Sequence, residues 1–343
     1  MPREVVATSP NHLEMRNYED RPLRANEILL RSRLTAEKHG TALAFYRGIS
    51  PFQRKAYDAK SRLFVEKETN PFPMHVGNMT VGVVAAVGEK VTNIKIGERV
   101  YGYLPARETH LISEDRVEIA PAEMTDEELV CIDPATVALM AVREGNARIG
   151  DNVAVFGLGA IGLMAVQLAK LSGSMLVIGF EPIEKRRSLG KKYGADALLD
   201  PRICDVGLET RRLANGEGVD IAIDTSGDYQ ALHQAIRATR YGGTVVPVSW
   251  YHGEPRGLDL AEEWHFNRQT LVSGARVESE PYREHPRWNR ERIYQTVVQL
   301  FRRRQLSAQE MLDPIVKFDQ VVEGYRMISE EPGRTIKLGI SYD

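Results

Sequence analysis

The stretch from Asn152 to Glu181 constrains the fold more than any other part of the 343-residue chain. It opens with an apolar, β-branched run, Val153–Phe156, which has the length and composition of a buried strand. A glycine-rich turn, an amphipathic segment from Leu163 to Leu171 and a second apolar run follow, and the second run ends at the acidic Glu181. This order predicts a strand, a turn, a helix and a second strand, which together form a βαβ unit.

The turn after the first strand reads Gly-Leu-Gly-Ala-Ile-Gly over residues 157–162. The first glycine permits the tight turn, the second lets the backbone approach a pyrophosphate, and the third lets the helix pack closely on the strand. The free N–H groups and the positive dipole end of the helix would then face the phosphates. We therefore predict a dinucleotide site formed by Gly157, Gly159, Ala160, Ile161 and Gly162. An ordinary βαβ turn without a ligand is the alternative.

The acid at the end of the second strand indicates which dinucleotide binds. Glu181 lies 24 residues after Gly157, where a carboxylate can accept hydrogen bonds from a ribose 2′-hydroxyl and would repel a 2′-phosphate. Lys185 and Arg186 follow closely and could hold a 2′-phosphate or simply flank the adenine. We predict NAD as the cofactor, with Arg186 beside the adenosine and NADP as the less favoured alternative.

Strand and helix patterns continue to alternate after this unit. Apolar runs predict further strands at 197–199, 219–224, 244–248 and 269–275, with a helix at 229–239. This rhythm is typical of a parallel, doubly wound sheet covered on both faces. Because ligands bind such sheets outside the carboxyl ends of the strands, we expect the dinucleotide to be lined by Asp224, Ser226, Val248 and Ser249.

The N-terminal third is typical of short strands separated by turns. We predict strands at 27–33, 82–88 and 97–102. The polar insertion from Ser50 to Asn70 predicts a solvated loop or surface helix, or part of a substrate lid. Thr125 followed by Glu128 is a capping-box pattern that starts a helical region. Towards the C-terminus, residues 288–304 and 320–328 predict helices.

Composition excludes several classes of partner. The formal charge of −2 gives no reason to expect nucleic acid or an anionic membrane. No apolar run reaches the roughly 18 residues that span a bilayer, and the N-terminus does not resemble a signal peptide. The two cysteines, Cys131 and Cys204, form neither a disulfide framework nor a thiolate metal cluster. We expect a cytoplasmic protein with a small-molecule substrate, no nucleic-acid partner and no membrane partner.

With these segments placed, the chain resembles the medium-chain dehydrogenases/reductases over nearly its whole length. The similar segments are His39–Gly48, Gly77–Val84, Ile96–Val100 and the glycine turn. The resemblance implies an α/β protein with a GroES-like, β-rich catalytic domain and a doubly wound, parallel-sheet (Rossmann) nucleotide-binding domain. It implies a catalytic domain at 1–132 and 277–343, a Rossmann domain at 133–276, and a homodimer.

The departures from this family concern zinc. Its zinc alcohol dehydrogenases read Cys-Gly-Thr-Asp where this chain reads His39-Gly40-Thr41-Ala42, and Gly-His-Glu where it reads Gly77-Asn78-Met79. Catalytic zinc takes about three Cys, His or carboxylate ligands, and here only His39 could serve. The four cysteines of the family's structural zinc lobe are also missing. We predict no zinc at either site, with a mononuclear site from His39, His75 and Asp133 as the alternative.

Other residues resemble a zinc-independent branch of the family that includes bacteriochlorophyllide-dehydrogenase-like proteins. The similar residues are Ser249-Trp250-Tyr251 after the fifth strand, and His265 and Arg268 before the sixth. The chain departs from that branch at Ala42, where the branch often has an acid. The aromatic residues Trp250, Tyr251, Trp264 and His265 could cover the nicotinamide or substrate, or pack beneath a hinge.

Without a metal, side chains must handle the substrate's proton and oxyanion. The resemblance places Thr41 where the family's hydroxyl contacts the substrate oxygen, and His39 replaces a zinc cysteine with a group that titrates near neutrality. Three further catalytic candidates are Tyr46 as a hydroxyl donor, Asn78 as an amide that could hydrogen-bond a substrate oxygen, and Asp133 as an acid near the site. These roles have structural alternatives: a hydrogen-bonded structural histidine for His39, a turn hydroxyl for Thr41 and a helix cap for Asp133.

The resemblance implies a zinc-independent, NAD(P)-dependent oxidoreductase that transfers a hydride between nicotinamide and a secondary alcohol or ketone. An NADPH-dependent reductase of enones or quinones is the first alternative, and Glu181 weighs against it on charge grounds. A nucleotide-binding protein that has lost catalysis together with its metal is the second, and the glycine turn does not discriminate against it.

Overall fold

The computed structural model describes residues 1–67, 70–274 and 288–342. In chain order the strands are β1 (Arg3–Ser9), β2 (His12–Asn17), β3 (Glu27–Ala36), β4 (Lys55–Asp58), β5 (Leu63–Glu66), β6 (Met74–His75), β7 (Met79–Val87), β8 (Arg99–Gly102), β9 (Thr109–Ser113), β10 (Glu118–Ile119), β11 (Asn152–Phe156), β12 (Leu176–Phe180), β13 (Ala197–Leu199), β14 (Val219–Asp224), β15 (Thr239–Pro247), β16 (Thr270–Leu271), β17 (Ile315–Lys317) and β18 (Gly339–Ser341). The helices are α1 (His39–Tyr46), α2 (Asp126–Val130), α3 (Ile132–Glu144), α4 (Ala160–Leu171), α5 (Glu184–Lys192), α6 (Val206–Leu213), α7 (Tyr229–Ala238), α8 (Glu263–Phe266), α9 (Arg290–Arg302) and α10 (Val321–Glu330).

The chain divides into two units. The terminal unit comprises Met1–Val130 and Met311–Asp343, and the central unit comprises Cys131–Glu310. The second boundary differs from the position after residue 276 expected from the sequence. The reason is α9, which packs against α3 and buries Ile293, Val297 and Phe301 along one face.

The terminal unit is built on a seven-stranded sheet in the order β10-β8-β7-β3-β18-β17, with β9 also paired to β3. The pairs that involve β3 are antiparallel, whereas β17 and β18 run parallel. A second sheet has the order β2-β1-β6. Apolar side chains that include Tyr46, Tyr325 and Leu338 form a core cluster of this unit.

Part of the insertion at 50–70 has regular structure that was not predicted. A 3-10 turn at Pro51–Gln53 precedes β4, and β4 pairs with β5 as an antiparallel hairpin that forms a sheet of its own. The role of this segment in a substrate lid stays a prediction. The capping box is confirmed. Thr125 N–H donates to Glu128 at 2.9 Å, and Glu128 N–H donates to the Thr125 hydroxyl at 3.2 Å.

The central unit contains a six-stranded sheet in the order β13-β12-β11-β14-β15-β16, in which all pairings are parallel. In chain order this is 3-2-1-4-5-6, the arrangement of doubly wound dinucleotide-binding sheets. The predicted α/β fold class is therefore confirmed. Phe156 and Phe180 stack at 4.6 Å between ring centroids in its core.

Differences in the central unit are confined to element ends. The fifth strand begins at Thr239, directly after α7, and not at residue 244. The sixth strand covers Thr270–Leu271, and Ala275, its predicted end, lies outside the described residues. Within the described part of the chain, every helix is too short or too polar to cross a bilayer.

Candidate functional site

The three glycines of the turn between β11 and α4 meet three different environments. Gly157 has φ +79°, a conformation that favours glycine, and a Cβ there would lie 3.0 Å from the Ser226 backbone. A Cβ on Gly162 would lie 1.9 Å from the Gly157 carbonyl oxygen, so helix and turn pack too closely for a side chain. A Cβ on Gly159 would meet no described atom within 4 Å. The space in front of Gly159 is therefore open.

The start of α4 offers backbone donors to that space. No side chain caps this helix at Gly159, and the first N–H groups of a helix have no partner within it. The next residues, Ala160 and Ile161, contribute two of these groups. Together with the dipole of the 12-residue helix, they form an anion-binding surface suited to a pyrophosphate.

Glu181 supports the same turn from the end of β12. Its carboxylate accepts the N–H of Leu158 at 2.7 Å and the N–H of Ile183 at 3.0 Å, and the residue is 2% exposed. A carboxylate has about four lone-pair sites, so acceptor capacity remains for a ribose hydroxyl. Arg186 Nη1 lies 3.8 Å from this carboxylate. Burial lowers the pKa of Arg186, and Glu181 opposes that change.

The carboxyl ends of β14 and β15 bring four predicted cofactor residues together. Asp224 accepts the backbone N–H of Ser226 at 2.9 Å, and its carbonyl accepts the N–H of Val248 at 2.8 Å. Ser249 lies beside the Ser226–Gly227 turn, since a Cβ on Gly227 would stand 3.5 Å from the Ser249 Cβ. These residues occupy the sheet edge where a doubly wound fold binds its ligand.

A tyrosine of the following loop reaches back to this edge. The Tyr251 hydroxyl donates to the Asp224 carboxylate, and the Tyr251 ring lies 5.1 Å from the ring of Tyr229. Asp224 is fully buried. Burial raises the pKa of Asp224 to about 6, against the opposing effect of hydrogen bonds from Tyr251 and Ser226. Burial and the adjacent carboxylate also raise the pKa of Tyr251.

The predicted aromatic cluster around Tyr251 is only partly assembled. Trp264 packs with Tyr251 against the core of the central unit, and the Trp250 ring lies 5.1 Å from His252. His265 is exposed and contacts Phe266. Tyr251 and Trp264 thus pack under the loop, whereas His265 faces solvent.

In the terminal unit, two predicted catalytic segments meet at one end of the sheet. β3 ends at Ala36, which faces Met79, the first residue of β7. His39 and Thr41 follow β3, and Asn78 immediately precedes β7 with its N–H donating to the Ala36 carbonyl at 3.2 Å. The Asn78 side-chain nitrogen is buried without a hydrogen-bond partner among the described residues. That amide nitrogen is an unsatisfied buried donor.

A buried acid organises this end of the sheet. Glu37 is 1% exposed, and its carboxylate accepts the N–H of Gly77 at 2.7 Å and the hydroxyl of Tyr325. Buried Lys337 donates to the Glu37 carbonyl at 2.5 Å. Leu338 N–H donates to Nε2 of His39 at 2.8 Å. Glu37 therefore ties the segments at residues 37–39, 77–78 and 325–338 to one another.

The other catalytic candidates lie in different environments. Thr41 is partly exposed on α1. Tyr46 is buried in the core, and its hydroxyl donates to the Asn11 carbonyl at 3.0 Å; burial raises the pKa of Tyr46. Tyr46 is thus a core residue whose hydroxyl already has a partner. Asp133 is buried in the first turn of α3, in the central unit, where a carboxylate also complements the helix dipole.

Sequence reasoning missed Glu37, Tyr325 and Lys337. Two of them carried a signal. Glu37 directly follows an apolar strand, and Lys337 interrupts the apolar run Ile336–Leu338. A charged residue in such a position is buried only when it has partners, so each indicates a polar contact whose other half the sequence does not name.

Comparison with known proteins identifies the family of the chain. The model of the family "Zinc-binding dehydrogenase" matches residues 160–288. The D-guloside 3-dehydrogenase of Escherichia coli K12 is 36% identical over 350 aligned positions, which cover 99% of this chain and 100% of that protein. The chain belongs to the zinc-binding dehydrogenases, within the medium-chain dehydrogenase/reductase superfamily. It is an alcohol dehydrogenase or reductase.

Solved structures with low sequence identity to this dehydrogenase share its fold. The (2R,3R)-butanediol dehydrogenase of Bacillus subtilis superposes with a TM-score of 0.79 at 22% identity and full coverage of both chains. An alcohol dehydrogenase of Escherichia coli CFT073 in complex with NADH has a TM-score of 0.78 at 19% identity, with 99% of each chain covered.

Despite this membership, the residues at the end of β3 do not fit a catalytic zinc. His39 Nε2 already accepts the Leu338 N–H at 2.8 Å, so that lone pair is used. Asn78 presents an amide, and Met79 is fully buried. His75, which the alternative site requires, lies 3.6 Å from Glu4. Zinc prefers about three Cys, His or carboxylate ligands, and this set lacks them.

Elsewhere in the described part of this dehydrogenase, one group of three potential ligands has its ligand atoms within 4.8 Å of one another: His233, Glu262 and Glu263. Asp259 N–H donates to Nδ1 of His233 at 3.4 Å. The second imidazole nitrogen, Nε2, lies 4.0 Å from the Glu262 carboxylate, and the Glu262 side chain is 61% exposed. An exposed acidic group of this kind is not by itself evidence of a metal site.

Proposed function

We propose that the protein is a zinc-independent, NAD-dependent dehydrogenase that oxidises a secondary alcohol of a sugar derivative to the ketone. The observation that carries the proposal is the glycine turn, in which open space before Gly159 and an uncapped helix start accompany 36% identity to a D-guloside 3-dehydrogenase over 99% of the chain. The proposal combines a dinucleotide site at this turn with similarity to a full-length relative that is named a dehydrogenase of D-gulosides.

The central unit supplies the cofactor site in this proposal. The donors at the start of α4 would bind the pyrophosphate, and Glu181 would accept a ribose hydroxyl with its remaining lone pairs. A 2′-phosphate next to this buried carboxylate would be repelled, which favours NAD over NADP. Asp224, Ser226, Val248 and Ser249 would line the remainder of the nucleotide path.

The terminal unit supplies the polar groups for the alcohol. Thr41 would contact the reacting oxygen, and the Asn78 amide would donate to a substrate oxygen, which pairs an otherwise unsatisfied buried donor. A bound nicotinamide would supply the hydride acceptor for the carbinol carbon. Thr41 would pass the hydroxyl proton to water, so that the overall products would be the ketone, the reduced cofactor and one proton. His39 and Glu37 would hold this loop in position.

Zinc independence rests on the donor set described above. Relatives that use zinc would weigh against it, so metal content is part of the test. We also propose, from the family resemblance, that the active form is a cytoplasmic homodimer.

A turnover assay tests the proposal. Purified protein is incubated with NAD⁺ or NADP⁺ and a panel of methyl glycosides, polyols, 2,3-butanediol and enones, and reduction or oxidation is followed at the nicotinamide absorbance. We expect NAD⁺-dependent oxidation of at least one glycoside or polyol. Protein-bound zinc should be well below one per chain. Enone reduction with NADPH alone, or stoichiometric zinc that activity requires, would contradict the proposal.

A substitution of Glu181 tests the preference for NAD over NADP. Glu181→Gln should reduce the ratio of NADPH to NADH dissociation constants by about tenfold, the effect of about 1.4 kcal/mol. Glu184→Gln is the matched control, since this acid has a side chain 75% exposed and lies three residues further along. Equal effects of both variants would remove Glu181 from cofactor selection.

A further inference from the structure

The hairpin of β4 and β5 exposes several large apolar side chains. Three consecutive residues of β5, Leu63, Phe64 and Val65, are 62%, 45% and 44% exposed. Tyr57 on β4 faces Phe64 and is 45% exposed. Isolated two-stranded hairpins are marginally stable in water, and contiguous exposed apolar surface marks binding sites. The hairpin therefore presents a surface that a ligand would cover.

One face of this hairpin continues a row of aromatic rings that begins on α1. The ring centroids of Phe45 and Phe52 are 6.3 Å apart with near-parallel planes. The next steps, from Phe52 to Phe64 and from Phe64 to Tyr57, measure 5.3 Å and 5.5 Å. We call these four residues the aromatic row. It leads from the helix to Phe64 and Tyr57, which are each 45% exposed.

The first member of the aromatic row is aligned with Thr41. Residues four apart lie on the same face of an α-helix, and Phe45 follows Thr41 by four positions within α1 (His39–Tyr46). The row thus starts one helical turn from the hydroxyl proposed to contact the reacting oxygen. A ligand that reaches both would be larger than a simple alcohol.

We propose that the aromatic row binds the sugar ring of a glycoside substrate, an inference that rests on the proposed function. A pyranose ring has a face of C–H groups with a partial positive charge, and aromatic faces carry the opposite partial charge. Rigid rings also bind with little loss of side-chain entropy. The sugar's hydroxyl groups point to the ring edge, where solvent and polar side chains can reach them. The row therefore selects cyclic over acyclic alcohols.

The alternation of side chains along β5 provides a matched control. Neighbouring residues in a strand point to opposite faces, so Phe64 belongs to the aromatic row and Val65 does not. Both are about equally exposed, at 45% and 44%. Phe64→Ala removes the platform, while Val65→Ala removes a similar exposed apolar side chain from the other face.

The experiment compares wild type, Phe64→Ala and Val65→Ala, after thermal melts have shown that all three fold. Methyl glycosides and 2,3-butanediol serve as cyclic and acyclic probes with NAD⁺, and saturation-transfer NMR measures glycoside binding directly. Phe64→Ala should raise the glycoside KM about tenfold, which corresponds to about 1.4 kcal/mol of lost binding free energy. Its kcat, its KM for 2,3-butanediol and its NADH affinity should remain within about twofold of wild type, and Val65→Ala should change none of these.

The outcomes separate the two proposals. An unchanged glycoside KM in Phe64→Ala, or an equal change in Val65→Ala, overturns the aromatic row while the dehydrogenase activity stands. Absence of NAD⁺-dependent oxidation of any alcohol overturns the proposed function, and the NMR comparison of the variants then still decides the row. The proposal for the aromatic row is also overturned if wild-type protein gives no saturation transfer to any methyl glycoside. It is overturned as well if the wild type is a dimer that dissociates in Phe64→Ala but not in Val65→Ala, because a second copy would then cover the hairpin.

Discussion

The central and terminal units assemble their functional residues in different ways. In the central unit, the glycine turn, Glu181 and Asp224 each stand at the end of a strand, and the parallel pairing of β11 with β12 and β14 brings these ends to one edge. In the terminal unit, Glu37 contacts Gly77, Tyr325 and Lys337, which are 40, 288 and 300 residues away. A repeated local unit suffices for the first site, whereas the second depends on contacts between distant segments.

This difference predicts which property a substitution in each unit will change. In the central unit, the steric demand of a short motif decides whether a nucleotide fits. In the terminal unit, a buried acid holds several segments together, and the reactive loop depends on them indirectly. Variants of the two units should therefore separate cofactor binding from turnover.

The largest effects are expected in the glycine turn. Gly162→Ala places a Cβ 1.9 Å from the Gly157 carbonyl oxygen, so the backbone must move, and the melting temperature should fall by more than 10 °C. Gly159→Ala meets no described atom within 4 Å, so it should melt like wild type and yet lose NADH binding by about 100-fold, because its methyl group occupies the pyrophosphate space. Calorimetric titration and thermal melts measure both. A stable Gly159→Ala protein that binds NADH normally would refute the site.

The next largest effect is expected for substitutions of Thr41 in the terminal unit. Thr41→Ala should lower kcat by about 100-fold, the lower range for loss of a proton-transfer group, and leave the NADH dissociation constant unchanged. Thr41→Ser retains the hydroxyl and should keep most of the activity. Steady-state kinetics with the best substrate of the panel measure these values. Equal activity of the alanine and serine variants would remove Thr41 from the mechanism and weaken the division of labour between the units.

The smallest effect concerns Asp224, whose pKa burial raises to about 6 from 3.8. A carboxyl with a raised pKa stabilises the folded state while protonated, and that contribution is lost as the pH rises from about 4 to about 6. Asp224→Asn stays neutral and can still accept from Tyr251. Between pH 4 and pH 7, its free energy of unfolding should therefore improve by about 2 kcal/mol relative to wild type. Urea titrations at several pH values measure this, and a pH-independent difference would contradict it.

The sequence predicted much of the central unit because its signals are local. The strand, turn, helix and strand at 152–181 are present at nearly the predicted positions. So are the strands that end at Leu199 and Asp224. Errors occurred where the pattern was weak, such as the start of β15, where Thr239–Arg240 lack the apolar alternation of a strand but still pair in the sheet.

The terminal unit was less predictable for a physical reason. The polar composition of residues 50–70 favours a loop, yet cross-strand pairs such as Tyr57 with Phe64 form a hairpin. Tyr46 has the character of a hydroxyl donor in the sequence, and the structure buries it with Tyr325 at 5.7 Å between ring centroids. In both cases the partner that decides the outcome lies elsewhere in the chain, and periodicity does not report it.

The amino-acid sequence alone determined the order of strands and helices in the central unit and the different roles of its glycines. Those properties follow from the side-chain period and from steric limits on a few consecutive residues. The tertiary structure decided that Glu37 joins three segments, that Tyr251 bonds to Asp224, and that Phe45, Phe52, Phe64 and Tyr57 form one row. Each of these contacts depends on the register and packing of segments far apart in the chain. A buried polar group needs a hydrogen-bond partner, and the tertiary fold decides which residue lies close enough to be that partner.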